Sequence, residues 1–220
     1  PEDAIPLHIK KLLEPLAPNM RLNYILAFFN ILRLLKTQKR TGWLDHKIPR
    51  ASVESISDHM YRMSVMTMII PNNDIDKDKC TKIAVVHDIA EALVGDITPF
   101  DPVTKPEKSR REFETIKYLS AVIQPYNPEA AAEIMELWLD YEHQRCIEAR
   151  YVKDIDKLEM IQQAWDFEQQ YGDKYNLNQF YSSRSAIKTP EICELADALL
   201  EQRNAFIQAI REGKEVESQE

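Results

Sequence analysis

The stretch VVHDIAEALVGDITP, residues 85–99, sets His87 and Asp88 side by side in an apolar run, adds Glu91 one helical turn on, and places Asp96 directly after Gly95. On a helix, His87 and Glu91 are i and i+4, and Asp88 and Glu91 are i and i+3, so an imidazole and two carboxylates converge near one edge. Burying two carboxylates together is costly unless a cation or matching donors compensate, and a divalent metal ion compensates most strongly. A lone His-Asp pair more often has a bland explanation: Asp88 pairs with an arginine and His87 is a satisfied core histidine. Two further features favour metal chemistry. Upstream, SISDHMYRM puts His59 at the start of a methionine-rich helix, whose methionines at helical spacing are core filling. Downstream, YVKDIDKLEM carries Asp154 and Asp156 in an amphipathic helix. Both aspartates have apolar neighbours at helical spacing and project to different sides, so periodicity does not choose between them. His8, His46 and His143 fit no ligand pattern.

The elements that must position these groups are helices. Four glycines in 220 residues and few alternating β-branched runs argue against extended sheet, while apolar residues recur at helical spacing in segment after segment. The expectation is an all-α fold, one domain over residues 1–220 with its core at about 20–180. The first strong helix is MRLNYILAFFNILRLLKT, with Leu22, Ile25, Leu26, Phe29 and Leu32 along one face. KCTKIAVVHDIAEALVG reads as a single helix carrying the His-Asp pair, and five more helices start near residues 57, 108, 129, 147 and 190. KRTGWLDHKIPRASVES and DITPFDPVTKPEK, rich in proline and polar residues, read as ordered loops. The acidic end, REGKEVESQE, has little to bury and is expected to fray. No stretch approaches the ~20 apolar residues of a membrane span. A net charge of -8 is a poor footprint for a protein that tracks nucleic acid. Cys80, Cys146 and Cys193 are odd in number and widely separated, which fits a reducing, intracellular and cytoplasmic setting.

The order His, His-Asp, Asp over three helices resembles the HD-domain metal-dependent phosphohydrolases, a compact all-α family. RTGW, SDHMYRM, VHDIAEALVGDITP, EKSRREFETI and DKLEMIQQAWDFE together resemble the eukaryotic branch of its 5'-deoxynucleotidases, over about residues 20–180. The resemblance implies that His59, His87, Asp88 and Asp156 hold a divalent metal. Two imidazoles and two carboxylates without thiolate suit manganese, cobalt, iron, nickel or magnesium with open water positions. It further implies Glu91 as the base or water-orienting residue, and Asp96 at the substrate or, with Glu91 and the Ile97 carbonyl, at a second metal. Arg40 becomes the phosphate-binding cation and Trp43 a wall against sugar or base. Lys105, Lys108, Arg110 and Arg111 form a second basic cluster, read equally well as a solvated helix start. The implied activity is hydrolysis of deoxyribonucleoside 5'-monophosphates by a homodimer. A phosphodiesterase, a nucleoside triphosphate hydrolase and a non-enzymatic helical module with a structural metal are the alternatives.

Overall fold

The computed structural model describes residues 2–13 and 20–217, and these are helical almost throughout, with one isolated β-bridge between Lys39 and Ser55. In chain order the helices are α1 (Leu7–Leu13), α2 (Met20–Leu35), α3 (Thr41–Asp45), α4 (Ile56–Met68), α5 (Lys77–Val86), α6 (Glu91–Val94), α7 (Lys105–Ile123), α8 (Pro128–His143), α9 (Ile147–Tyr171), α10 (Asn178–Tyr181) and α11 (Pro190–Glu217). Four of them begin where a side chain satisfies the unpaired amides of a helix start, whereas α9 begins after Cys146 without a side-chain cap. Ser55 and Asp58 form a reciprocal capping box at α4, and Asp76, Thr104 and Asn127 cap α5, α7 and α8.

Two cores meet at α8. One surrounds α9, whose Val152, Ile155 and Ile161 are fully buried against α4, α5 and α11. The other joins α2 to α6 and α7 through Ile31, Ile116 and Leu119. Trp138 of α8 belongs to the second core, while Leu137 and Tyr141 belong to the first. The geometry that matters for chemistry follows from this packing: α4, α5 and α9 bring three distant segments to one point.

Several expectations are corrected. The buried face of α2 is Ile25, Phe28, Ile31 and Leu35, while Leu22, Leu26 and Phe29 are exposed. This helix carries apolar residues around most of its circumference, so periodicity allowed two faces, and packing on α1, α6 and α7 selects one. The segment 79–95 is not one helix. α5 ends at Val86, and tightened turns follow, with the Ile89 amide bonded to the Val86 carbonyl and the Glu91 amide to the Asp88 carbonyl. The loop 39–55 contains α3. Residues 211–217 of the acidic end continue α11, and 218–220 lie outside the described residues.

Candidate active site

His59 lies in the first turn of α4 and is fully buried. Its Nδ1 lies 2.5 Å from Glu159 Oε2 on α9, and Glu159 in turn accepts from Arg62 Nε at 2.8 Å. Burial would raise the Glu159 carboxyl, but His59 and Arg62 hold it below the usual range. An ionised carboxylate can only accept, so His59 Nδ1 donates and Nε2 faces the other way. His87, just past the end of α5, is pinned alike: its Nδ1 donates to the Ala84 carbonyl at 2.9 Å. Both Nε2 atoms are buried without a hydrogen-bond partner, and both face Asp88 Oδ2, at 3.8 Å from His59 and 3.2 Å from His87.

These observations are the test of fit for a metal. Two buried ring nitrogens left unsatisfied and aimed at one carboxylate oxygen form a convergent donor set that a divalent cation satisfies. Asp156 stands at its edge, with Oδ1 3.4 Å from His59 Nε2 and Oδ2 accepting from the Tyr141 hydroxyl at 2.6 Å. Asp154 is elsewhere. Its Oδ2 accepts from the amides of Lys188 and Thr189 at 2.7 and 2.8 Å, and Lys157 binds its Oδ1, so it ties α9 to the segment that enters α11. Burial and Arg40 oppose a proton on His59, but Glu159 and Asp156 outweigh them and raise its pKa to about 9. Burial likewise opposes ionisation of Asp88, yet His87, Arg40 and His59 hold it well below the carboxylate range.

The donor set opens into a cavity of about 530 Å³. Arg40, the residue before α3, lines it, with Nη1 3.4 Å from Asp88 Oδ2. Glu91, at the start of α6, is 3% exposed and its Oε2 has no partner. Burial, with Asp88 and Asp96 nearby, raises its pKa well above the usual value. Gly95, with φ of 83°, turns the chain so that Asp96 lines the cavity and accepts from the Thr41 amide at 2.5 Å. The Ile97 carbonyl accepts from Lys108 Nζ at 3.0 Å.

Trp43 lines the cavity but is 3% exposed, with Nε1 donating to Glu54 at 2.7 Å. It is therefore as much core as wall. The basic cluster divides: Arg110 and Arg111 pair with Glu107 outside, and Lys108 alone of the four lines the cavity. Sequence reasoning missed Glu159, Tyr141 and Lys153. Lys153 Nζ lies 3.1 Å from the Tyr141 hydroxyl and 4.3 Å from its ring centre, at the cavity wall beside Asp156. The signal for Glu159 was available, because it stands three residues after Asp156 and therefore on a neighbouring face of the same helix.

A helical scaffold that gathers a histidine from one helix, a His-Asp pair from the turn that ends a second and an aspartate from a third defines a class of histidine-aspartate metal-centre proteins. The HD domain model matches residues 32–196, and the chain belongs to the HD domain family. It is 53% identical over 213 residues to the 5'-deoxynucleotidase YGK1 of Saccharomyces cerevisiae, spanning 96% of each chain. It is 40% identical over 186 residues to the 5'-deoxynucleotidase HDDC2 of Homo sapiens, spanning 84% of this chain and 89% of that one. Among solved structures, the HD domain-containing protein YGK1 superposes with a TM-score of 0.74 at 45% identity, covering 94% of this chain and 98% of the other.

Proposed function

We propose that this chain is a divalent-metal-dependent 5'-deoxynucleotidase that converts a deoxyribonucleoside 5'-monophosphate and water into a deoxynucleoside and phosphate. The observation that carries the reading is the pair of unsatisfied, buried Nε2 atoms aimed at Asp88 beside Arg40, at the base of a cavity large enough for a nucleotide. The names of the yeast and animal relatives supply the substrate class.

In this reading His59, His87, Asp88 and Asp156 hold the cation, and manganese, cobalt, iron, nickel and magnesium all suit two imidazoles with two carboxylates. A divalent ion there supplies positive charge for the phosphate oxygens and lowers the pKa of a water. Arg40 binds the phosphate through its planar fork. Glu91 takes a proton from the attacking water as its oxygen bonds to phosphorus, the bond from phosphorus to the 5' oxygen breaks, and that proton passes to the leaving 5' oxygen, which restores Glu91 and gives the deoxynucleoside hydroxyl. Asp96 orients the sugar through its 3'-hydroxyl, and the Trp43 edge narrows the space beside it. The second candidate set, Glu91, Asp96 and the Ile97 carbonyl, lies beside Lys108, whose Nζ donates to that carbonyl at 3.0 Å.

We further propose a homodimer. Phe29 and Leu32 of α2, Tyr61 of α4 and Val85 of α5 line one apolar groove, and Leu26, Val65 and Met68 are also exposed on these helices. The three unpaired cysteines suit a reducing interior of the cell. No described helix is long and apolar enough to cross a membrane. The deciding experiment measures phosphate release from dAMP, dGMP, dCMP, dTMP and their ribonucleotide counterparts, with and without chelator. Metal-dependent release confined to the deoxy series is expected. Equal rates on dAMP and AMP would leave a broader phosphomonoesterase.

A further inference from the structure

One wall of the cavity is a continuous row of aromatic rings that begins in the core and ends in solvent. Phe167 meets Trp43 edge-on at 5.3 Å between ring centres, and Trp43 meets Phe180 at 4.2 Å. His46 continues the row at 4.8 Å from Phe180 and reaches Phe100 at 5.8 Å. Phe167 is 2% exposed and Phe100 is 64% exposed. Trp43, His46, Phe100 and Phe180 all line the cavity that also contains His87, Asp88 and Asp156.

The outer end of this row is braced. His46 Nδ1 donates to the Gly42 carbonyl at 2.8 Å, which fixes the ring against its own helix α3. Phe100 follows Pro99 in the loop between α6 and α7, and that loop is tied internally because the Thr98 amide donates to Asp101 at 2.8 Å. It is tied to α3 as well, because the Thr98 hydroxyl donates to Asp45 at 3.0 Å, one residue from His46. An exposed phenylalanine held against a fixed imidazole, at the mouth of a cavity whose floor is charged, presents a preformed apolar face to whatever enters. A pre-ordered ring loses little freedom when a flat ligand stacks on it.

We propose that His46, Phe100 and Phe180 form the seat of the nucleobase, a stacking platform at the cavity mouth for the heteroaromatic ring of a nucleoside 5'-monophosphate. The proposal rests on the deoxynucleotidase reading and adds what that reading leaves open, the part of the protein that meets the base. Stacking needs only a π-face, so the seat takes purines and pyrimidines alike, and selectivity is left to sugar and phosphate. Purines, with the larger face, gain more from it.

Phe100→Ala is the test, since the exposed ring can be removed without opening the core. The reference substrate is 2-deoxyribose 5-phosphate, which keeps sugar and phosphate and lacks the base. Loss of one base–aromatic stack weakens binding by roughly tenfold. The ratio of kcat/KM for dAMP to that for 2-deoxyribose 5-phosphate should therefore fall about tenfold in the variant, through KM, and Phe100→Tyr should restore it. Deoxyadenosine binding, followed by calorimetry in the presence of the metal, should weaken by a similar factor. A ratio and a deoxyadenosine affinity both unchanged in Phe100→Ala would overturn the base seat while leaving the hydrolysis intact. Deoxyadenosine binding that depends on Phe100 in a protein that releases no phosphate from dAMP would uphold the seat and overturn the reaction.

Discussion

Replacing Asp154 and Asp156 separately by alanine should break two different things, although the residues are one position apart. Asp154 is 4% exposed and accepts from two backbone amides, those of Lys188 and Thr189, as well as from Lys157. Hydrogen bonds to a charged acceptor contribute about 1.5–3 kcal/mol, and Asp154→Ala leaves two amides without their partner, so a loss of about 3 kcal/mol follows. For a chain of this size that lowers Tm by roughly 6–12 °C. Burial would raise the Asp154 carboxyl, but the two amides and Lys157 hold it below the usual range. A depressed pKa gives stability that is present above the unfolded value of about 3.9 and lost as pH falls through the folded value. The stability gap between wild type and Asp154→Ala should thus be full at pH 7 and close below about pH 4. Asp156→Ala also costs some metal-free stability, because the carboxylate accepts from Tyr141 and is held ionised by His59 and Lys153, but unlike Asp154→Ala it should abolish tight metal binding. Thermal melts in chelator, with bound metal measured by elemental analysis, separate the two. Asp154→Ala losing its metal with Tm intact would refute the assignment.

Glu159→Gln should weaken metal affinity about 10–100-fold with helicity retained, because it loosens the ring of His59 and no metal donor is deleted, as competition with a metallochromic dye would measure. Metal binding should release about one proton at pH 7, since His59 holds a second proton up to about 9 in the cation-free site, and affinity should fall as pH is lowered; calorimetry in buffers of different ionisation enthalpy reads both. Buffer-independent heats would contradict that sign. Glu91→Gln should lower kcat by about 10²–10⁴-fold with little change in KM if the carboxyl moves the proton, and near-normal turnover would remove it from the mechanism.

The candidate metal-holding cluster of His59, His87 and Asp88 was legible because histidine and aspartate are rare in apolar helical runs and the order His, His-Asp, Asp over three helices resembles the HD-domain pattern. Choosing between Asp154 and Asp156 was harder. Both sit among apolar neighbours, and only the partners of each, a chain entering α11 for one and Tyr141 for the other, tell a structural aspartate from one at the cavity. The division of residues 79–95 was hidden because Ile89, Ala90, Ala92 and Leu93 continue the apolar pattern through the turn. Helix α2 failed for the opposite reason, an excess of signal, with apolar residues on nearly every side. Glu159 pairs with a histidine 100 positions away in sequence, a contact that only the packing of α4 on α9 reveals.

The most direct test is a single assay: phosphate released from dAMP and from AMP by metal-loaded protein, repeated after chelation and again after the metal is restored. Release from dAMP well above that from AMP, lost with chelator and regained with a divalent ion, is expected. Release that survives chelation, or no release from dAMP with the metal bound, would contradict the deoxynucleotidase reading.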